Sequence, residues 1–315
     1  MSSRRLVEVL GVRYPLIQSG MGGVAGPDLA VAVSAAGAAG CLGGYKLVGD
    51  DLTAALDELQ RRTSTVVGVN LIPEVVGPDT LRRQVEQVLA RSNQRLFLFL
   101  FGLPEPEILR LIHDAGRVAV VQVGTVADAR CAAEYTPVIV AQGEEAGGHL
   151  LGTLPRDELV TAIRADLPDV CVVAAGGIGA AEDAARARAA GADGVCAGTA
   201  FITAAESLAH PIFKSAVIGA RGTDTVITNV YRIGWPGRRH RVLRTAATDN
   251  PAQRSQFIGR TQMAGRSYLV PRFSAAVPTE TTTGAIAEMA QYCGLSCDGV
   301  TGPASAADLV ARLAG

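Results

Sequence analysis

The sequence predicts an α/β protein, a (β/α)8 TIM barrel with a mainly helical insertion between strand eight and the C-terminal helix. Three observations carry that prediction. Eight short apolar runs alternate strictly with segments of helical period, which is the pattern of parallel βα units. Most of the runs are continuous rather than alternating in and out, as strands buried on both faces are. The alternation then stops after Thr199 and gives way to a long stretch without a clear strand repeat.

In order, the runs are YPLIQSG (14–20), AAGCLGG (38–44), TVVGVNL (65–71), RLFLFLFG (95–102), RVAVVQVG (117–124), TPVIVAQG (136–143), VCVVAAGG (170–177) and DGVCAGT (193–199). Between them lie LAVAVSAAG from Leu29, DDLTAALDELQRR from Asp50, DTLRRQVEQVLARS from Asp79, PEPEILRLIHDAG from Pro104, TVADARCAAE from Thr125, RDELVTAIRADL from Arg156 and AAEDAARARAAG from Ala180. Several of these open on Asp, Thr or Pro and close on Gly, the chemistry of helix caps. Eight units is the number that closes a barrel; a doubly wound open sheet is the alternative. The expected division is a barrel over residues 1–206, the insertion over 207–300, and a closing helix over 301–315 with Ser305 as its N-cap.

Composition narrows the function classes. The 315 residues suffice for a large core. With 29 basic against 30 acidic side chains, the charge does not point to nucleic acid. The apolar runs, LFLFLFGL from Leu96 among the longest, fall well short of the roughly 20 residues that span a bilayer. No secretory stretch opens the sequence, and six scattered cysteines suit a reducing cytoplasm. Cys293 and Cys297 form a lone C-x3-C, read as incidental thiols, so no metal site is expected. Glycine is abundant, at 36 residues, while aromatic residues reach only 4%; backbone rather than aromatic bulk is expected to meet the ligand.

In a barrel the strand ends share one mouth, and here they are Gln18 to Met21, Asn70, Gln122, Gln142, Gly176 with Gly177, and Gly198 with Thr199. The amides of Asn70, Gln122 and Gln142 suit a neutral heteroaromatic ring with alternating N–H and C=O groups. The glycine clusters after strands seven and eight, Gly176-Gly177 and Ala197-Gly198-Thr199, stand where barrels commonly cradle phosphate. His149 ends the loop AQGEEAGGH that leaves strand six, and it is the candidate acid or base; His113, His210 and His240 read as ordinary loop or surface histidines.

QSGMGG, VGVNL, FGLPEPE, AQGEEAGGH, AAGGIG and GADGVCAGTAF occur in an order and spacing that resembles the nitronate monooxygenase family, also called 2-nitropropane dioxygenases, a pattern shared by FMN-dependent enoyl-acyl-carrier-protein reductases. The likeness runs from about Val12 to Ser207, with a weaker echo at GWPGRRHRVLR. It implies an FMN cofactor held by Asn70, Gln142, Gly147, Gly177 and the stretch Cys196, Ala197, Gly198, Thr199, with Gly20, Met21, Gln122 and Gly176 beside them, and His149 as the catalytic histidine. The implied reaction oxidises an alkyl nitronate with O2 to a carbonyl compound and nitrite, with the histidine positioning the substrate or removing an α-proton. The alternative is an NAD(P)H-dependent enoyl-thioester reductase, for which Arg238, Arg239, Arg241 and Arg244 would dock a carrier or a cofactor phosphate. A solvated face with intrachain ion pairs is the plainer reading of those arginines, and a catalytically idle flavin-binding protein is the third. The expected partners are a small-molecule substrate and O2, with NAD(P)H for the alternative and a homodimer left open. Two departures from the family pattern, the apolar Leu98-Phe99-Leu100-Phe101 before Gly102 and Cys196 where glutamine is frequent, point to a more apolar or specialised substrate.

Overall fold

A computed structural model of the chain describes residues 4–91, 95–254, 256–263 and 265–314. Eight parallel strands form one sheet: β1 (Leu16–Gln18), β2 (Gly40–Gly43), β3 (Val67–Leu71), β4 (Leu96–Phe101), β5 (Ala119–Val123), β6 (Val138–Gln142), then, after the two-residue strand β7 (Gly148–His149) in the following loop, β8 (Cys171–Ala175) and β9 (Gly194–Ala197). Their spatial order is β1-β9-β8-β6-β5-β4-β3-β2, so neighbours follow the chain order, β7 apart, except that the last strand, β9, pairs with the first, β1, which leaves the seam between β1 and β2. There the sheet closes through a single parallel bridge, Ile17 to Ala39. The side chain of Gln18 reinforces that thin seam: Oε1 accepts from the Cys41 amide at 2.9 Å, and Nε2 donates to the Cys41 carbonyl at 3.2 Å. The barrel expected from the sequence is therefore present, with all eight strands where the apolar runs lie.

Alternation along each strand builds two cores. In β4, Leu96, Leu98 and Leu100 join the outer layer beneath the helices, whereas Phe97 and Phe99 fill the barrel interior with Ile17, Val120, Val140 and Val173. Gly68 on the adjacent β3 has no side chain because the Phe97 ring occupies that space. The helix Arg4–Leu10, which the sequence reading did not assign, sends Leu6 and Leu10 into the interior core and plugs the end opposite the strand C-termini. The helix Ala306–Ala314 returns to the outer layer through Leu309, Val310 and Leu313. Ser305 caps it as expected: Oγ accepts from the Asp308 amide at 3.1 Å, while Asp308 Oδ2 accepts from the Ser305 hydroxyl at 2.7 Å. Ser305→Ala is expected to cost about 1 kcal/mol, the usual worth of an N-cap, read as a lowered urea midpoint.

The insertion corrects one expectation. It contains helices, among them Pro211–Gly219 and Ala246–Asp249, but five strands stand beside them. β10 (Thr225–Thr228) and β11 (His240–Leu243) form an antiparallel sheet with β7, so the insertion pairs directly with the loop after β6. β12 (Phe257–Met263), β13 (Arg266–Pro271) and β14 (Thr283–Gly284) form a second small sheet. Among the described residues, no helix is long and apolar enough to cross a membrane.

Candidate active site

The strand C-termini open on a cavity of about 360 Å³, roofed by the insertion. Nine of the thirteen residues that the resemblance assigns to the flavin or to catalysis line it: Gly20, Met21, Asn70, Gln122, Gln142, Gly147, His149, Gly198 and Thr199. Four do not. Cys196 points into the barrel interior beside Cys41, where burial pushes its thiol up to about 12, and Ala197 packs in the outer layer. Gly176 and Gly177 lie beneath the 143–146 loop, where an added Cβ would meet Ala146 N at 3.0 Å and Glu145 Cβ at 3.3 Å respectively. The buried Arg156 side chain lies against them, with Nη1 donating to the Gly176 carbonyl at 2.8 Å. Of the two glycine clusters expected to form one cradle, only Gly198 and Thr199 face the cavity; Arg156 and Glu145 cover the other.

The three amides play different parts. Gln142, the last residue of β6, is engaged at both ends: Nε2 donates to the His149 carbonyl at 2.9 Å, and Oε1 accepts from the Leu151 amide at 2.8 Å. It is a brace that fixes the 149–151 backbone. Asn70 on β3 donates from Nδ2 to the Phe99 carbonyl at 3.4 Å, but its Oδ1 has no partner, and neither has Gln122 Oε1 on β5. Buried oxygens without partners are costly, by about 1 to 3 kcal/mol each. Two such acceptors lining one glycine-edged cavity suit a planar ring with N–H groups. Gly20 permits that approach, because any side chain there would strike Asn70.

His149 is held on every side. Its backbone pairs with His240 across β7 and β11, and its ring stacks on Trp235 at 3.6 Å between centroids and 18° between planes. His240 and Tyr292 stand at 5.2 and 5.1 Å. Burial, then His240, then Arg238 push the His149 pKa down to about 2, so the ring is neutral across ordinary pH. Its Nε2 is buried and has no partner, which makes it the third unsatisfied polar atom of the cavity.

His240, Trp235 and Tyr292 were not singled out as site residues in the sequence, although the echo GWPGRRHRVLR contains the first two. His240 is fully buried, its Nδ1 set against the Arg238 carbonyl at 3.1 Å and its Nε2 accepting from the Tyr231 amide at 3.3 Å, so it is not the ordinary loop histidine expected. The bland reading holds for His210, which caps the helix Pro211–Gly219 by accepting from Ile212 N at 3.1 Å, and for the exposed His113. The arginines are engaged within the chain. Arg238 pairs with Glu74, Arg239 with Glu144 at 2.6 Å and Arg244 with Asp249 at 3.1 Å, and Arg241 donates to the Glu144 carbonyl at 2.8 Å. That matches the expected face with intrachain ion pairs.

Known proteins resemble this chain along most of its length. The family model described as nitronate monooxygenase matches residues 3–315. A protein named "Probable nitronate monooxygenase" from Staphylococcus saprophyticus is 31% identical over 282 residues, spanning 75% of this chain and 78% of that protein. A protein of the same name from Staphylococcus haemolyticus is 29% identical over 275 residues, 73% of this chain and 76% of that protein. Among solved structures, FabK from Thermotoga maritima superposes with a TM-score of 0.81 at 25% identity, covering 98% of this chain and 94% of that one. The nitroalkane oxidase from Streptomyces ansochromogenes gives 0.78 at 24% identity over 98% and 96%, a likeness of fold.

Proposed function

A chain matched along residues 3–315 belongs to the nitronate monooxygenase family, and on that premise we propose that it is an FMN-dependent enzyme oxidising an alkyl nitronate with O2 to a carbonyl compound and nitrite. The fold is that of FMN-binding oxidoreductases, related to the FMN-dependent enoyl-acyl-carrier-protein reductases. The observation that carries the reading is the set of three unpartnered buried atoms lining one cavity, Asn70 Oδ1, Gln122 Oε1 and His149 Nε2. The first two fit the edge of a flavin ring, with Gly20 and Met21 beside it and Gly198 and Thr199 at the mouth of β9. Bound FMN would supply the one-electron chemistry and the reaction with oxygen.

The chain's own contribution is to seat and orient the substrate. A neutral imidazole whose protonated form is penalised by burial takes up a proton poorly, which favours the positioning role of His149 over α-proton removal. It suits a substrate that arrives already deprotonated, as a nitronate does, with Nε2–H offered to a nitronate oxygen when that nitrogen carries the proton. Phe101 and Trp235, edge to face at 5.5 Å, give that wall of the cavity an apolar surface, consistent with a substrate bearing an apolar chain. The enoyl-thioester reductase reading draws on the likeness to FabK.

One experiment separates the two. Protein loaded with FMN and mixed anaerobically with an alkyl nitronate is expected to lose its oxidised-flavin absorbance promptly, while NADH leaves it unchanged. Bleaching by NADH alone would overturn the proposal in favour of the reductase.

A further inference from the structure

Trp235 is the chain's sole tryptophan, and the segment carrying it is tied to a distant part of the barrel by one carboxylate. Glu74 lies in the short helix Pro73–Val76, just beyond the C-terminal end of β3. Its Oε1 accepts from the indole Nε1 of Trp235 and, at 3.0 Å, from Arg238 Nε, while its Oε2 accepts from Arg238 Nη2. Glu74 thus joins two residues more than 160 positions away in the chain. Glycines with positive φ, Gly234 at 92° and Gly237 at 77°, flank the dipeptide Trp235-Pro236, and an added Cβ at either would meet nothing within 4 Å. These glycines are therefore not packed in place, and the flanking anchors are the bridge of Ile233 to Ser274 on one side and β11 on the other. The indole is nonetheless only 9% exposed, wedged between the His149 ring and the edge of Phe101.

We propose that Glu74 is a positioning residue for His149: by gripping the Trp235 indole N–H and the Arg238 guanidinium together, it seats the indole on the imidazole and fixes that ring at the cavity wall. Three features of the geometry support this. His149 Nε2 has no hydrogen-bond partner of its own, so no polar contact at that nitrogen sets the ring's rotation. The backbone ties of His149, to β11 and to Gln142, fix its Cα but leave the ring to its neighbours. The largest flat contact on the ring is Trp235, and the indole N–H is bonded to Glu74. A ring displaced by about 1 Å costs up to roughly 100-fold in rate when it orients a substrate. This role rests on His149 acting in the proposed reaction, but the clamp itself is testable without any substrate.

The test uses the full chain with and without FMN. In the FMN-free protein, the His149 ring protons are expected to be shifted upfield by the stacked indole, and they are assignable because the chain has only four histidines. Glu74→Ala is expected to abolish that shift and to move the emission of the single tryptophan toward that of a solvent-exposed indole. Glu74→Gln keeps an amide oxygen for the indole N–H and is expected to restore both signals. Asp249→Asn, which removes the exposed partner of Arg244, serves as a control expected to change neither. With FMN and nitronate, Glu74→Ala is expected to lower kcat at least about tenfold with a smaller change in KM. An unchanged His149 signal in folded Glu74→Ala would overturn the proposal, as would a lost signal with kcat intact. A wild type that shows the shifted His149 signal but turns over no nitronate would count against the proposed reaction and leave the clamp standing.

Discussion

His149→Phe is expected to lower kcat/KM on an alkyl nitronate by about 100- to 1,000-fold, the effect of removing one preorganised donor from a water-poor site, while leaving the affinity for FMN within a few-fold. Phenylalanine keeps a flat ring against Trp235, where the stacking distance is 3.6 Å, and fits a pocket in which the residue is only 6% exposed. What it removes is both ring nitrogens, the unpartnered Nε2 among them. Loss of activity then reports on the ring nitrogens rather than on packing, and FMN affinity measured by fluorescence quenching separates it from loss of the cofactor, because Asn70 and Gln122 are untouched. A variant with wild-type kcat/KM would remove His149 from the mechanism. His149→Ala is a poorer choice, since it would also leave a cavity beside Trp235.

The barrel was legible because the same residues state it at two levels. Continuous apolar runs such as Leu96 to Leu100 read as buried strands, and caps such as Thr125, whose side chain accepts from the Asp128 amide at 3.1 Å, mark helix starts. The insertion's strands were not legible for the opposite reason. β12 is FIGRTQM, partly exposed along its whole length, so it carries no apolar period to separate strand from loop. The helix Arg4–Leu10 is seven residues long and makes sense only once there is a barrel end for Leu6 to plug.

The site divided along similar lines. Asn70, Gln122, Gln142 and His149 reach one cavity because barrel topology alone sends strand ends to one mouth. Trp235 and Tyr292 do not stand out in the sequence because long-range pairing brings them there: β11 joins β7 through His240 and His149, Val242 of β11 bridges to Tyr292, and nothing near residue 149 announces partners so far along the chain. Gly176 and Gly177 lie against the Arg156 and Glu145 side chains, a contact that no glycine motif encodes. The cysteine run fared likewise. Cys196 falls on the inward face of β9, so its side chain contributes to the barrel interior while only the following Gly198 and Thr199 meet the cavity.

Acid is expected to destabilise the fold through His149, and the sign follows from the direction of its shift. In the unfolded chain the imidazole titrates near 6.5, whereas burial beside His240 and Arg238 holds it near 2 in the folded protein. Between those values the unfolded chain binds a proton that the folded chain does not, so protonation favours unfolding. Stability should therefore be flat above about pH 6.5 and fall below it by about 1.4 kcal/mol per pH unit from this residue alone, about 3 kcal/mol by pH 4.5. His240, whose pKa burial also lowers, adds to the same trend. Carboxylates titrate in the lower part of this window, so the informative quantity is the difference between wild type and His149→Phe. Urea unfolding across pH 7.5 to 4.5 should show the variant losing stability less steeply by about 1.4 kcal/mol per unit, with the two curves parallel above pH 6.5. Parallel curves over the whole range would mean that His149 titrates alike in both states, and the neutral ring on which its positioning role rests would go with it.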